Sequence, residues 1–424
     1  MAEKYKILLL SDHLLSTSGV GTQSRWVVNG LVATGKYKFL QLGAAVKHAN
    51  YDVVKVSDDI VIKPIDGFGD KEMLRVILAT ERPDAVFLFT DPRFFIWLWE
   101  IEDELHQVCP IVYWKVWDER PTPAFNKVLY DSTDLINCHS YLTYEMLSEL
   151  LPDRVADGTL NFIPHALPQD VFKPIDPSKR PQLRSSVLSP AHADNFVAIW
   201  VNRNAKRKRA NDVLESWRLF LDALEAKHGH RKATLIMHTD PLDSQGSNLL
   251  KTSEMLGVQR EVFFSKERLS FEQMAVLYNI SDCCLNTAAN EGFGLSTLEA
   301  MQCGVPIIAL KTGGLTRQVV DHRDGSENGI ALDVELRTLV GSLLVPYIYE
   351  CYCSNQSTAD ALLQMYEWGP EKRRTVGQKA RDYVLSEFDI SKTVADWDRT
   401  LSQTIETWRN DRKKLYQPWE VTEL

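Results

Sequence analysis

The chain has 424 residues, 44% hydrophobic and 25% charged, which suits a globular protein of two or three domains rather than a disordered or fibrous one. A formal net charge of −9 gives no global attraction to nucleic acid or anionic lipid and leaves such a partner only a local basic patch. No apolar run approaches the roughly 20 residues of a membrane span, and seven cysteines without zinc-like spacing read as free thiols in a reducing compartment.

Met1-Ala2-Glu3-Lys4 runs at once into a strand, so no secretory leader is expected and the location reads as cytoplasmic. Tyr5-Lys6-Ile7-Leu8-Leu9-Leu10 has strand length. Ser11-Asp12-His13 leads from it to Ser18-Gly19-Val20-Gly21-Thr22, and Trp26, Val27, Leu31 and Val32 then recur at helical spacing over residues 23–33. Strand, glycine loop and helix open a doubly wound α/β domain. The full G-x-G-x-x-G fingerprint is missing, so a dinucleotide is not indicated. Further strands are predicted over residues 85–89 and 111–117, with a helix over 94–105 between them. Ligands of open α/β sheets bind beyond the carboxyl ends of the strands, which singles out Thr90-Asp91 and Asp118-Glu119-Arg120. Asp118 is a polar ligand contact or a helix cap. A strand near 132–137 precedes His139, a core or capping histidine, and a helix over 141–151. The Pro- and Ser-rich stretch 174–190 reads as a linker.

The second half starts with a strand over 196–201. Asn202-Arg203-Asn204-Ala205-Lys206-Arg207-Lys208-Arg209 follows as a βα loop, then a helix over 212–224. Strands over 232–237 and 262–264 and a helix over 270–278 lead to a buried strand, 281–286. After it stands Asn290-Glu291-Gly292-Phe293-Gly294-Leu295-Ser296-Thr297-Leu298-Glu299-Ala300-Met301. A helix should begin near Leu295 and stop at Gly304, a left-handed C-cap, before a strand over 305–310. Glu291 then lies ahead of the helix and Glu299 about two turns into it. Gly292 and Gly294 admit a ligand close to the backbone, and the helix N-terminus offers free N–H groups to an anion. The result is a phosphate seat with a carboxylate on each side, and carboxylates suit sugar hydroxyls. Lys311-Thr312-Gly313-Gly314 adds another glycine turn. Residues 332–367 read as an embellished loop, and helices follow over 371–387 and 393–412, with Trp397, Leu401 and Ile405 on one face. Cys351-x-Cys353 and His228-x-His230 lack the further ligands of a metal site.

EGFGLSTLEAMQCGVP, residues 291–306, resembles the signature E-G-F-G-L-x-x-x-E-A-M-x-x-G-x-P of family-four retaining glycosyltransferases. The resemblance implies the GT-B architecture, two doubly wound Rossmann-like α/β domains facing a cleft. Residues 1–174 would form the acceptor-side domain, 175–190 a linker, 191–390 the donor-nucleotide domain, and 391–424 a helix crossing back to the first domain with a tail. Residues 161–174 resemble the family's I-P-x-G-V-D-x-x-x-F-x-P segment, departing from it at Ala166 and Pro168. Carried over by position, Arg203 and Lys208 grip the donor diphosphate, Gly19 and Gly21 reach toward it, and Gly292, Phe293, Gly294 and Leu295 bind the donor. Glu291 contacts the transferred sugar and Glu299 the ribose. Asp118 stands where many relatives carry a histidine. The implied reaction is transfer of a sugar with retention from a nucleotide-sugar co-substrate, a UDP-sugar foremost, to a glycan or small molecule, with no other cofactor and no metal. Two alternatives stay open: a phage-type DNA glycosyltransferase acting on a hydroxymethylated base, and a nucleotide-binding scaffold without turnover.

Overall fold

The computed structural model describes residues 3–48 and 50–416; Gln417, Pro418 and Trp419 of the predicted tail lie outside them. The chain divides into two units, residues 1–166, 341–347 and 390–424, and residues 167–340 and 348–389.

The first unit is built on an eight-stranded sheet of β1 (Tyr5–Asp12), β2 (Tyr37–Ala44), β3 (Val54–Ser57), β4 (Ile60–Pro64), β5 (Ala85–Phe89), β6 (Ile111–Lys115), β7 (Leu135–Cys138) and β8 (Leu160–Phe162). Their order is β3-β4-β2-β1-β5-β6-β7-β8, and all neighbours are parallel except β3 and β4. Such strands are covered on both faces, which is why β1, β5 and β6 are continuous apolar runs without alternation. Leu8, Leu10, Val86 and Leu88 pack on one face. Ile7, Leu9, Phe87 and Trp114 pack on the other with Val27, Val28 and Leu31 of the Gly19–Ala33 helix. The Ile390–Thr407 helix belongs to this second layer. Its Trp397, Leu401 and Ile405, spaced at one helical turn, are fully buried, and Trp397 stacks on Phe87 at 4.6 Å.

In the second unit, β9 (Phe196–Val201), β10 (Ala233–His238), β11 (Val262–Ser265), β12 (Cys283–Asn286), β13 (Ile307–Leu310) and β14 (Gly329–Leu332) form a parallel sheet in the order β11-β10-β9-β12-β13-β14. Trp200, Leu235 and Met237 meet Trp217, Phe220 and Leu221 of the Ala210–His228 helix and Leu362 and Met365 of the Asn355–Glu367 helix. The order reverses between β9 and β12. At such a switch point the two crossover connections leave in opposite directions and open a crevice beyond the strand ends.

Several predicted elements need correction. The expected linker holds a helix, Arg180–Leu188, and lies in the second unit. The single helix expected over 94–105 is two short ones, Ile96–Trp99 and Glu102–His106, because the non-helical torsions of Ile101 interrupt it. The expected loop 332–367 folds as an antiparallel hairpin of β15 (Leu336–Val340) and β16 (Ile348–Tyr352) followed by the Asn355–Glu367 helix. The first unit gives way to the second at 166 rather than at 174, and residues 341–347 are counted with the first unit. All seven cysteines are unpaired thiols. Among the described residues, no helix is long and apolar enough to cross a membrane.

Candidate donor site

The loops that leave β9 and β12 at the switch point carry most of the predicted donor residues. After β9 the chain makes a 3₁₀ turn, Lys206–Lys208, and Arg209 adopts a left-handed conformation (φ 60°) to begin the Ala210–His228 helix. Arg209 lies over the Tyr352 ring at 4.2 Å, and that stacking offsets part of the strain of positive φ. The turn buries Lys208, whose ammonium pairs with the Glu291 carboxylate of the β12 loop. The two loops are also joined through their backbones. Arg207 Nη1 donates to Asn290 O at 3.0 Å, and the Ala289 amide donates to Arg207 O at 2.8 Å.

Gly294 is the N-cap of the Leu295–Gln302 helix and sits at φ +92°, where a Cβ would come within 2.4 Å of Leu315. Glycine is required there on both counts. No side chain caps this helix, so its first N–H groups remain available to an anion. Gly314 fits the Gly313-Gly314 turn against the Glu291–Phe293 backbone: its amide donates to Glu291 O at 2.9 Å, and a Cβ would lie 2.5 Å from Gly292 O. Gln318, fully buried, fixes the loop from below. Its Nε2 donates to Phe293 O at 2.6 Å and Gly294 O at 3.1 Å, while its Oε1 accepts from Thr297 at 2.6 Å. Phe293 meets Phe388 edge to face at 5.4 Å.

Glu299 lies on the Leu295–Gln302 helix, partly buried, and accepts a 2.6 Å hydrogen bond from the hydroxyl of Tyr278. Burial pushes its carboxyl up to about 7, and the Tyr278 bond holds it from rising further. Arg203 is different in kind. Its side chain is 59% exposed and is held by Asp243, a residue of the loop after β10, at 2.7 and 3.2 Å. Both cations expected to grip a diphosphate are thus matched to a carboxylate. Several buried polar atoms at this end of the sheet have no partner among the described residues: Asn202 Nδ2 after β9, Thr239 Oγ1 after β10, Asn286 Nδ2 on β12 and Asn290 Oδ1 beyond it. Buried groups of this kind need a hydrogen-bonding partner, and a polyhydroxylated ligand supplies such partners.

The remaining predicted residues belong to the first unit. Gly19 and Gly21 are not on a loop. Ser18 caps the Gly19–Ala33 helix by accepting from the Gly21 amide at 3.0 Å and donates to Asp12 at 2.6 Å, so both glycines form the first helical turn. Gly21 is needed for close approach, since a Cβ would meet His13 O at 2.6 Å. Asp118 follows β6 and is partly exposed. His139 is buried and bonds Lys115 O at 3.0 Å through Nδ1. Among the described residues no group of three His, Cys, Asp or Glu is arranged to hold a metal ion.

Sequence reasoning missed Tyr278, Asp243 and Gln318. Each acts on a motif residue from another element, and only the position of Gln318, just past the Gly313-Gly314 turn, carried any signal.

Residues 188–335, all within the second unit, match the family model described as glycosyl transferases group 1. The chain is similar to N-acetyl-alpha-D-glucosaminyl L-malate synthase of Bacillus anthracis, 26% identical over 202 residues, or 48% of this chain and 44% of that protein. It is also similar to D-inositol 3-phosphate glycosyltransferase of Corynebacterium jeikeium (strain K411), 34% identical over 128 residues, or 27% of this chain and 30% of that protein. The matched stretches span less than half the length of these relatives. Among solved structures, sucrose-phosphate synthase from Thermosynechococcus elongatus superposes with a TM-score of 0.71 at 17% identity, covering 95% of this chain and 100% of that chain. The Anabaena protein HepE, solved with UDP-glucose, superposes with a TM-score of 0.66 at 16% identity, covering 94% of this chain and 99% of that chain. The fold of the chain is the GT-B fold.

Proposed function

We propose that this chain is a retaining, metal-independent glycosyltransferase that moves a sugar from a nucleoside-diphosphate sugar, a UDP-sugar foremost, to the hydroxyl of a small molecule. The observation that carries the reading is the seat formed where β9 and β12 diverge. There Lys208 pairs with Glu291 beside an uncapped helix N-terminus, and Glu299 stands on the same helix with its carboxyl directed by Tyr278. A diphosphate drawn to the free amides competes with Glu291 for the Lys208 ammonium. Fixed cations and amides then stabilise the charge that grows on the departing nucleoside diphosphate, the work a divalent ion would otherwise do. Glu291, released from Lys208, accepts hydrogen bonds from sugar hydroxyls, and Glu299 accepts them from the ribose. The full set of Arg203, Lys208, Glu291 and Glu299 favours turnover over a scaffold that only binds nucleotide.

A small acceptor is favoured because the two relatives are named for malate and inositol phosphate, both small hydroxylated molecules. A modified DNA base has no comparable support, and the net charge of −9 offers it no attraction. The test is thermal stabilisation and release of free nucleoside diphosphate across UDP-, GDP- and ADP-sugars, with and without EDTA, followed by NMR of the product's anomeric proton. Stabilisation by a UDP-sugar, EDTA-resistant release and a product with the donor's anomeric configuration are expected. No response to any nucleotide removes the donor reading, and an inverted product removes retention.

A further inference from the structure

A second cavity, of about 550 Å³, lies at the opposite end of the second unit's sheet, against the N-terminal ends of β9 and β13 and the residues just before β12. Strand β12, with four residues, rises about 13 Å between this end and the donor end.

Arg184 donates to Asp282 at 2.7 Å, Arg180 does so at 3.1 Å, and Arg373 approaches it at 3.5 Å. Arg374 also lines the cavity and, among the described residues, makes no hydrogen bond or ion pair. Against these four cations stand two carboxylates, Asp282 and, also lining it, Asp194. Helix ends do not remove the imbalance. The Phe271–Ile280 helix brings its C-terminal carbonyls here, where Arg180 takes Asn279 O at 2.9 Å and Arg184 takes Ile280 O at 2.8 Å. The Gly369–Glu387 helix brings its N-terminus, without a side-chain cap, and its Pro370 lines the cavity. The Asn355–Glu367 helix brings a second C-terminus, where Arg373 takes Met365 O at 3.1 Å and Tyr366 O at 2.9 Å. The three ends together leave about half a negative charge, so an excess of more than one positive charge remains. Pinning the Arg180–Leu188 helix to Asp282 requires Arg180 and Arg184. Arg373 closes the Asn355–Glu367 helix through Met365 O and Tyr366 O, but neither task requires Arg374, nor a cavity within the few-hundred-Å³ range of small-molecule sites.

We propose that this cavity is a second anion site, taking a small molecule that carries a phosphate ester, and that its occupancy is felt at the donor end. Asn279 and Ser281 line it, one and three residues from the Tyr278 that donates to Glu299. Cys303 and Gly304, at the end of the helix that bears Glu299, line it as well. A ligand here touches the ends of both helices that position the Glu299 carboxylate.

The experiment is calorimetric titration of the full chain with glucose 6-phosphate and with inorganic phosphate, repeated on R374Q, R180Q and K208A. Glucose 6-phosphate should bind at least tenfold tighter than phosphate, weaken tenfold or more in R374Q and R180Q, and be unaffected in K208A. UDP affinity should change threefold or more with the ester saturating, and the ester's affinity by the same factor with UDP saturating. No binding of the ester, or binding lost in K208A but kept in R374Q, overturns the site. Equal affinity for free phosphate overturns the ester. UDP affinity unchanged within twofold overturns the coupling. Only this last arm rests on the donor reading, and a chain that binds ester but no UDP at all refutes that reading rather than the site.

Discussion

Lys208 and Glu291, 83 residues apart in sequence, share one buried ion pair that closes the β9 loop onto the β12 loop. Neither partner is well placed alone. Lys208 is 7% exposed, and an uncompensated ammonium at that depth costs several kcal/mol. The pair therefore serves the resting protein as a latch, and the proposed reaction requires it to open.

Opening the latch by mutation separates its structural and chemical roles. Lys208→Ala and Glu291→Ala should each lower stability by about 3 kcal/mol, whereas the double variant should lose clearly less than the sum, because neither charge is then stranded. Sugar transfer should fall at least 100-fold in all three. Denaturant unfolding supplies the coupling energy. Simple additivity would show that the two side chains do not depend on each other.

The Tyr278–Glu299 bond makes a prediction about pH. With the Glu299 carboxyl pushed up to about 7 from 4.5, the folded protein holds a proton that the unfolded chain releases between those values. The folded state then binds more protons than the unfolded one, so this group's contribution to stability is fully present below about pH 4.5 and is lost as pH rises through 7. Glu299→Gln should abolish that decline and be more stable than the parent at pH 8, by about 2 kcal/mol. The same carboxylate must be ionised to accept from ribose, so nucleotide affinity should rise from pH 5.5 to 7.5, with proton release on binding. Tyr278→Phe should weaken nucleotide binding about tenfold and move that rise to higher pH. A flat pH profile in the parent would detach Glu299 from the nucleotide.

Arg203 and Asp243 test whether an exposed ion pair matters. A pair in which the arginine is 59% exposed is worth at most about 1 kcal/mol. Asp243→Asn should therefore alter donor affinity by less than about fivefold, while Arg203→Ala should weaken it by about tenfold or more through the lost contact with the diphosphate. Competition binding with UDP across the two variants distinguishes these. Equal losses would mean that Asp243 orients Arg203 rather than merely neutralising it.

What could be read from the chain, and what could not, divides by distance along it. The strands Ala85–Phe89 and Phe196–Val201 have the predicted limits because a strand buried on both faces is a bare apolar run. The Leu295–Gln302 helix starts and stops as predicted because Gly294 and Gly304, both at positive φ, mark its ends locally. Readings that failed depend on partners far away. The stretch 175–190 looks like a linker by composition, yet Arg180 and Arg184 tie it to Asp282, 102 and 98 residues later. Tyr278 reaches Glu299 across 21 residues and between two helices, which no periodicity reveals. The glycines after β1 looked like a loop because Ser18 had not been recognised as an N-cap, although Ser is a favoured residue there.

Lys115 gives the last prediction, one that concerns the first unit alone. It ends β6 fully buried, its ammonium without a hydrogen bond among the described residues and ringed by Tyr113, Trp117 and Tyr130 at 5.8, 5.0 and 5.5 Å. Burial pushes the ammonium down to about 8 from 10.5, against the pull of Asp91, Cys138 and Asp118. Between those two values the unfolded chain binds the proton and the folded chain does not, so this group's contribution to stability rises with pH across that window. At neutral pH the buried charge costs the fold about 3 kcal/mol, a cost the three ring faces reduce without abolishing. Lys115→Met, similar in length and apolar, should stabilise the protein by about 2 kcal/mol at pH 7 and by much less at pH 10. Urea unfolding of parent and variant at both values measures the difference. A variant less stable than its parent at pH 7 would show that the ammonium is held by interactions stronger than the aromatic cage provides.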